Sequence, residues 1–271
     1  MMRQAFKNTS WHWDSDAARK VGDAPDHARL YLRMMDESDY AERLAPVVGT
    51  LAGAVLDIGA GAGSLTRHCL APGAHWLAVE PNPEMGRALE SLRAPLSGRG
   101  VRVDWIPSRW EDLNRESRPG GLKADCAVAF NMGATHHEAD RLYDVMRACS
   151  PGTMIWVVPA QEAPSSFCLA GYLPEEFWGG ACVPAYQKTL EQLGAGRRPD
   201  QIELVDWTCR SSFASRNEVM TYFIDRLDVS GDVAAAAELR AVLARKLERE
   251  SAGNRVSCSK RSAVLFWRFG Q

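Results

Sequence analysis

The stretch from residue 51 to residue 64 constrains the fold more than any other part of the chain. It consists of Leu-Ala-Gly-Ala-Val-Leu-Asp-Ile-Gly-Ala-Gly-Ala-Gly-Ser, so a short apolar run leads directly into three glycines at alternate positions. The apolar run is typical of a buried strand, and the residues after the glycines have helical spacing. Glycine allows a sharp turn and a close approach of a ligand to the backbone, and the following helix begins with unpaired N–H groups. The pattern predicts a nucleotide-cofactor loop.

The spacing of the glycines distinguishes between nucleotide cofactors. The dinucleotide fingerprint G-x-G-x-x-G would place its third glycine at position 64, whereas this chain has Gly59, Gly61, Gly63 and then Ser64. Asp57 lies two residues before the first glycine, where a carboxylate would repel the pyrophosphate of NAD and attract a cationic ammonium or sulfonium group. A turn without a ligand is disfavoured because three glycines cost backbone entropy.

The segment Val-Leu-Asp-Ile-Gly-Ala-Gly-Ala-Gly-Ser at 55–64 closely resembles the first motif of the class I S-adenosylmethionine-dependent methyltransferases. The resemblance implies a Rossmann-like α/β sheet of seven strands, flanked by helices, with S-adenosylmethionine as cofactor and S-adenosylhomocysteine as product. It also implies direct in-line transfer of the methyl group to a small-molecule acceptor. The subfamily is not identified.

The order of the other elements is similar to that of the same family. Apolar runs predict strands at 55–58, 76–79, 101–106, 124–130, 154–158, 202–213 and 262–269, most of them separated by segments of helical spacing. The last two fit the antiparallel hairpin that ends a class I methyltransferase sheet, which a dehydrogenase Rossmann domain lacks. We expect residues 1–271 to form a single domain, because no linker or repeat interrupts them.

Cofactor-binding residues follow from the resemblance. An acidic residue at the end of the second strand, here Glu80, is placed to accept hydrogen bonds from ribose hydroxyls. Trp-Glu-Asp-Leu at 110–113 resembles the loop beside the adenine ring, and Asn131 follows the fourth strand. The expected cofactor residues are Asp57, Gly59, Ala60, Gly61, Gly63, Glu80, Pro81, Trp110, Glu111 and Asn131.

The acceptor site is expected at the carboxyl edge of the sheet, beneath a cap. Residues 1–50 are predicted to form an N-terminal lid, and residues 160–200 a helical insertion that completes the cap. Trp13 and Tyr31 are candidate pocket aromatics, although either can simply pack the lid onto the sheet. His136 is the candidate general base, and His137 is a second acceptor candidate that can instead satisfy the first turn of a helix.

Composition limits the other function classes. The chain has 271 residues with 32 Lys and Arg against 34 Asp and Glu, a net charge of −2, which lacks the basic excess of nucleic-acid-binding proteins. Asn-Met-Gly-Ala at 131–134 also differs from the Asn/Asp-Pro-Pro-aromatic motif of base-amino methyltransferases. Seven scattered cysteines without a C-x-x-C pair predict neither a disulfide framework nor a metal site. The amino terminus has no signal-like apolar region and no run reaches membrane-spanning length, so we expect a cytoplasmic protein.

Other functions stay open at this point. A non-catalytic module that binds S-adenosylmethionine would keep the same motifs, because they indicate binding and not turnover. An NAD-dependent oxidoreductase is disfavoured by Asp57, Ser64 and the terminal hairpin. A methyltransferase directed at thiols or metalloids would need reactive cysteines, but cysteines such as Cys126 and Cys149 fall on predicted core faces. The oligomeric state and the methylated atom do not follow from the sequence.

Overall fold

The computed structural model describes most of the chain in seven segments. These segments are residues 25–113, 122–132, 138–162, 169–177, 183–227, 229–249 and 254–270. Trp13, His136 and His137 lie outside them.

One mixed sheet organises the described residues. Its strands are β1 (Ala54–Ile58), β2 (His75–Val79), β3 (Arg102–Ile106), β4 (Cys126–Phe130), β5 (Thr153–Pro159), β6 (Gln201–Ser212) and β7 (Arg255–Arg268). Their order across the sheet is β3-β2-β1-β4-β5-β7-β6. The first five are parallel, and β7 runs antiparallel between β5 and β6. The predicted seven-stranded Rossmann-like sheet with a terminal antiparallel hairpin is therefore confirmed.

The three central parallel strands β1, β4 and β5 are buried on both faces, which explains their largely apolar sequence. Residues 55–58 in β1 and 126–129 in β4 are all buried, and so are residues 154–158 in β5. The long hairpin strands are covered unevenly. The first four residues of β6 are exposed, whereas β7 is buried throughout residues 262–267.

Helices cover both faces of this sheet. They are α1 (Pro25–Glu37), α2 (Tyr40–Val48), α3 (Thr66–Cys69), α4 (Pro83–Ser91), α5 (Arg93–Ser97), α6 (Ala139–Cys149), α7 (Ala185–Leu193), α8 (Arg216–Arg226) and α9 (Val233–Arg249). The apolar residues of α6 and α7 pack on one face, together with Trp156 and Leu265 of the sheet. Those of α1, α2, α8 and α9 pack on the other face with Val157 and Val264.

Two predicted helices have different bounds in the structure. Helical spacing from 26 to 48 predicts one segment, but the helix is interrupted after Glu37 because Ser38 and Asp39 bond to the edge strand β6. Ser38 Oγ accepts from the backbone N–H of Arg210 at 2.9 Å, and Asp39 Oδ1 accepts from that of Thr208 at 2.6 Å.

The second difference concerns the insertion. The sequence predicts a single helix from 174 to 193, begun by Leu-Pro-Glu-Glu. This prediction is wrong, because the structure has a 3₁₀ turn at Glu175–Phe177 and helix α7 starts only after Pro184. Since α7 packs against α6 and β5, it is one of the helices that cover this face of the sheet.

The start of α8 follows the sequence. Ser215 Oγ accepts from the backbone N–H of Glu218 at 3.1 Å, and Glu218 Oε2 accepts from that of Ala214 at 2.5 Å, as the Ser-x-x-Glu spacing predicts.

Helices with the length and apolarity needed to cross a membrane do not occur among the described residues.

Candidate functional site

The site lies where β1 and β4 end. Chain connections leave β1 for β2 on one side, while β4 lies on its other side, so a crevice opens at the carboxyl ends of these two strands. In open α/β sheets this is where ligands bind. The turn after β1, the acid after β2 and the residues after β4 meet at this edge.

The glycine turn has a conformation that other residues rarely adopt. Gly59, Gly61 and Gly63 have φ angles of 67°, 56° and 68°. The turn is held by the N–H of Ala60, which donates to the carbonyl of Val79 at 3.0 Å. A side chain on Gly59 would meet Met132, the second residue after β4, at 2.6 Å.

Gly61 and Gly63 differ in what surrounds them. A side chain on Gly63 would overlap the ring of Trp76, so this glycine allows the turn to pack onto β2. In the part of the chain that the structure describes, nothing lies within 4 Å of the position that a Cβ of Gly61 would take. The open side of the turn is therefore at Gly61, where a ligand can lie against the backbone.

Asp57 is a buried part of the scaffold beneath the turn. Its side chain is 1% exposed, and Oδ2 accepts from Thr66 Oγ1 at 2.6 Å and from Trp76 Nε1 at 3.2 Å. Among the described residues, Oδ1 has no hydrogen-bond partner. Burial raises the pKa of Asp57 to about 7, a rise that the bonds from Thr66 and Trp76 oppose and the charge of Glu80 reinforces.

Glu80 joins the turn to the end of β2. Its Oε2 accepts from the backbone N–H of Gly61 at 2.9 Å, and its Oε1 accepts from that of Asn82 at 2.8 Å. The residue is 8% exposed, and its carbonyl accepts from Trp105 Nε1 at 2.8 Å. A carboxylate is thus fixed beside the open face of Gly61.

Residues 81–85 start α4 next to this carboxylate. Pro81 is exposed, and the side chain of Asn82 caps the helix by accepting from the N–H of Glu84 at 2.8 Å and of Met85 at 3.4 Å. Asn82 and Trp105 are absent from the residues predicted from the sequence. An Asn directly before a proline-initiated helix is a recognisable capping signal, whereas the bond from Trp105 depends on the pairing of β3 with β2.

The loop after β3 has a 3₁₀ turn at Trp110–Asp112. The ring of Trp110 is 9% exposed and packs into the core on the α6 face, and the guanidinium of Arg141 lies 5.2 Å from its centre. Arg141 also donates to the carbonyl of Glu111 at 3.5 Å. Trp110 thus fixes the loop through packing, and Glu111 is half-buried beside it.

Asn131 takes an unusual backbone conformation directly after β4. Its φ is 55°, whereas the other described residues with positive φ are glycines, and its N–H donates to the carbonyl of Val157 at 3.0 Å. The side chain is half-buried. The structure therefore places Asn131 at the same edge as the glycine turn.

The helix α1 packs beside the turn. Ala28 of α1 is buried in a small cluster with Ala62 of the turn and Met85 of α4, and Tyr31 packs against this cluster. Arg29 of α1 also lies 4.0 Å from Glu84 in an ion pair. Part of the predicted N-terminal lid is therefore in contact with the glycine turn.

The described residues suit an adenosyl cofactor better than a metal. The open backbone at Gly61 and the carboxylate of Glu80 offer the surface and the hydroxyl acceptors that an adenosyl group needs. Within the seven described segments, no three His, Cys, Asp or Glu side chains are grouped so that they could hold a metal ion.

Comparisons with solved structures give low identities. The pyocyanin biosynthetic protein PhzM has a TM-score of 0.48 at 17% identity, covering 68% of this chain and 57% of that protein. Precorrin-6y C5,15-methyltransferase from Geobacter metallireducens GS-15 has a TM-score of 0.40 at 11% identity, covering 83% and 85%.

Sequence comparison with curated proteins is more informative. No protein-family model matches the chain. It is 32% identical over 227 residues to the ubiquinone biosynthesis O-methyltransferase of Xanthomonas campestris pv. campestris strain B100, covering 76% of this chain and 85% of that enzyme. The enzyme of the same name from Xanthomonas euvesicatoria pv. vesicatoria is 32% identical over 165 residues, covering 58% and 59%. With this likeness, the strand order and the glycine turn, the chain belongs to the class I S-adenosylmethionine-dependent methyltransferases, enzymes whose cofactor is S-adenosylmethionine.

Proposed function

We propose that the protein transfers the methyl group of S-adenosylmethionine to an oxygen atom of a small-molecule acceptor by direct in-line displacement. The observation that carries this proposal is the carboxylate of Glu80, fixed 2.9 Å from the N–H of Gly61 at the open face of the glycine turn. The choice of oxygen is supported by the name of the relatives, which are O-methyltransferases. The cofactor supplies a methyl group bound to a positively charged sulfur.

The roles of the cofactor residues follow from their positions. Glu80 accepts hydrogen bonds from the ribose hydroxyls, and the open backbone at Gly61 lies against the cofactor. Trp110 holds the loop that carries Glu111 beside the adenine. Asp57 acts indirectly, because its carboxylate fixes Thr66 and Trp76 and these hold the turn. Asn131 borders the place where cofactor and acceptor meet.

Positioning and exclusion of water are the main contributions to such a displacement. The lid formed by residues 1–50 covers the acceptor, with Tyr31 and Trp13 as its aromatic contacts, and residues 160–200 complete the cap. His136 takes the proton from the acceptor hydroxyl, and His137 lies next to it in the chain. If His136 is the base, His136→Ala lowers turnover by ~10²-fold or more.

Three buried cysteines do not take part in this reaction. Cys69, Cys126 and Cys149 are free and buried. Burial raises the pKa of both Cys69 and Cys126 to about 12, so these thiols stay protonated and do not act as nucleophiles or metalloid ligands near neutral pH. The free thiols of Cys69, Cys126 and Cys149 and the balanced charge support a cytoplasmic enzyme that acts on small molecules and not on nucleic acid.

A transfer assay tests the proposal. The protein is incubated with methyl-tritiated S-adenosylmethionine and a panel of hydroxylated aromatic compounds, and tritium is counted in the organic extract. We expect transfer to at least one acceptor by the wild type and much less by Glu80→Ala. Binding of S-adenosylhomocysteine without transfer to any compound would favour the non-catalytic binding module.

A further inference from the structure

Four hydrogen bonds fix Glu80, and two of them come from β3. Its carboxylate oxygens accept from the backbone N–H groups of Gly61 at 2.9 Å and of Asn82 at 2.8 Å. Its own N–H donates to the carbonyl of Ile106 at 3.1 Å, and its carbonyl accepts from Trp105 Nε1 at 2.8 Å. Of these four bonds, the one from Trp105 is made by a side chain of another residue, so a substitution can remove it.

The bond from Trp105 acts on a peptide group that has no N–H. Glu80 directly follows the last residue of β2, and the next residue is Pro81, so the carbonyl of Glu80 is the group through which this peptide can be held. Rotation of the peptide would also move Asn82, whose N–H binds the Glu80 carboxylate. The indole N–H of Trp105 therefore fixes both the backbone of Glu80 and one partner of its carboxylate.

Helix α4 leaves space for the indole of Trp105. Gly86 is buried inside α4, where glycine stabilises a helix less than alanine does. A Cβ on this glycine would lie 2.1 Å from the indole ring, so no larger residue fits there while the ring stays in place. Since Trp105 is only half-buried on the edge strand β3, core packing alone does not account for this arrangement. The position of the ring and its N–H is what the glycine preserves.

We propose that Trp105 is a positioning residue for recognition of the cofactor's ribose, because its indole N–H fixes the direction in which the Glu80 carboxylate faces the ribose hydroxyls. This proposal rests on the proposed function, in which Glu80 accepts from those hydroxyls. Trp105 acts through Glu80 and does not itself touch the cofactor. Hydrogen bonds weaken steeply when donor and acceptor are out of line, so a misdirected carboxylate distinguishes poorly between ribose and deoxyribose.

Calorimetry on the full chain with S-adenosylhomocysteine and with its 2′-deoxy analogue, which lacks one ribose hydroxyl, tests this proposal. The ratio of the two dissociation constants measures recognition of that hydroxyl. We expect the wild type to bind S-adenosylhomocysteine roughly tenfold more tightly than the analogue. Trp105→Phe keeps an aromatic ring but removes the N–H, and it should lower this ratio about threefold or more.

Trp267→Phe is the matched control. Trp267 of β7 is 2% exposed, and its indole N–H also donates to a backbone carbonyl, that of Arg197 at 2.9 Å. Both substitutions replace an indole by a phenyl ring and remove a bond of the same kind. Trp267→Phe should lower the melting temperature of the ligand-free protein and leave the wild-type ratio unchanged. If Trp105 contributed to stability alone, Trp105→Phe would behave in the same way.

Gly86→Ala tests the same arrangement without a change at Trp105. The added methyl group overlaps the indole, so the ratio should fall as it does in Trp105→Phe. In the variant that carries both substitutions the aromatic ring is smaller, and Gly86→Ala should lower the ratio no further. Additive losses in the double variant would contradict the coupling of this glycine to the indole.

Two results would overturn the proposal. One is an unchanged ratio in Trp105→Phe while the wild type distinguishes the two ligands. The other is an equal fall of the ratio in Trp267→Phe. Wild-type protein that binds both ligands equally would contradict the role of Glu80 and with it that of Trp105, whereas failure of the wild type to bind S-adenosylhomocysteine would contradict the proposed function itself.

Discussion

Asp57 shows how a single residue of the glycine motif acts through the scaffold. The sequence suggested a carboxylate placed to attract a cationic cofactor, but the structure buries it against Thr66 and Trp76. The structure therefore shows Asp57 supporting the turn through these two bonds. This arrangement leaves Asp57 Oδ1 buried without a hydrogen-bond partner among the described residues.

The raised pKa of Asp57 predicts a specific pH dependence. The ordinary value is 3.8, and the folded value is about 7, so the folded protein binds this proton more tightly than the unfolded chain. Its contribution to stability is full below pH ~4 and is lost as the pH rises to ~7. Asp57→Asn cannot ionise, so its free energy of unfolding should improve relative to wild type by up to about 1.4 kcal/mol per pH unit across this window.

Urea unfolding of the ligand-free protein between pH 4 and pH 8 measures this difference. Asp36→Asn is the control, because Asp36 is exposed and pairs with Arg67 at the surface. It should follow the wild-type pH dependence. A difference between Asp57→Asn and wild type that stays constant with pH would show that the Asp57 pKa is not raised.

The position of Glu80 predicts that its side chain contributes to the affinity for S-adenosylhomocysteine. Glu80→Ala should weaken binding of S-adenosylhomocysteine by ~1–3 kcal/mol, because ribose hydroxyls lose a charged acceptor. Glu84→Ala is a matched control, since Glu84 lies four residues on and pairs with Arg87 and Arg29. Equal affinity of Glu80→Ala and Glu84→Ala in a calorimetric titration would remove Glu80 from the site.

At the scale of elements, the turn after β1 depends on its packing against β2. The ring of Trp76 fills the space next to Gly63 and bonds to Asp57, so the strand and the turn form one unit. In the sequence, Asp57 and Gly63 belong to the glycine motif and Trp76 begins the predicted second strand, with no sign that they are in contact. Their contact arises from the parallel register in which Asp57 lies opposite Ala78, two residues after Trp76.

Two alanine substitutions separate backbone strain from packing at this turn. Gly49 and Gly63 both have positive φ, at 78° and 68°, but a side chain on Gly49 would meet none of the described residues within 4 Å. Gly49→Ala should therefore cost about 1–3 kcal/mol of unfolding free energy, because φ 78° with ψ −165° is a conformation that essentially only glycine adopts. Gly63→Ala should cost a further ~1–3 kcal/mol, because the new methyl group overlaps Trp76. Equal losses in denaturant unfolding would contradict the packing of Trp76 on the turn.

For the whole molecule, the sequence predicts the sheet better than the layers around it. Strands such as β1 and β7 follow from apolar runs, and their bounds shift by few residues except that β7 begins at Arg255. The interruption between α1 and α2 could not be predicted, because it depends on bonds from Ser38 and Asp39 to β6. These bonds join residues about 170 positions apart in the chain.

The candidate site was predictable to the extent that its residues are local in sequence. The glycine turn and Glu80 lie next to strand ends, and the structure brings them together. Trp110 follows β3, and its burial could not be predicted locally. It packs under Arg141, because α6 from a later part of the sequence covers it.

The contact between α1 and the glycine turn predicts that ligand binding makes α1 less sensitive to protease. Because α1 packs against Ala62 and Met85, cofactor binding at the turn should stabilise it. Trypsin should therefore cut after Arg29 and Arg33 several-fold more slowly when S-adenosylhomocysteine is bound. Cleavage after Lys188, on α7 at the other face, serves as the internal control. Equal rates of cleavage after Arg29 with and without the ligand would contradict the stabilisation of α1 by ligand binding.

Calorimetric titration of the wild-type protein with S-adenosylhomocysteine and, separately, with NADH tests the cofactor choice most directly. The geometry of Gly61 and Glu80 predicts a one-to-one complex with S-adenosylhomocysteine in the micromolar range, about −8 kcal/mol, and no binding of NADH at the same concentrations. Binding of NADH without binding of S-adenosylhomocysteine would contradict the account.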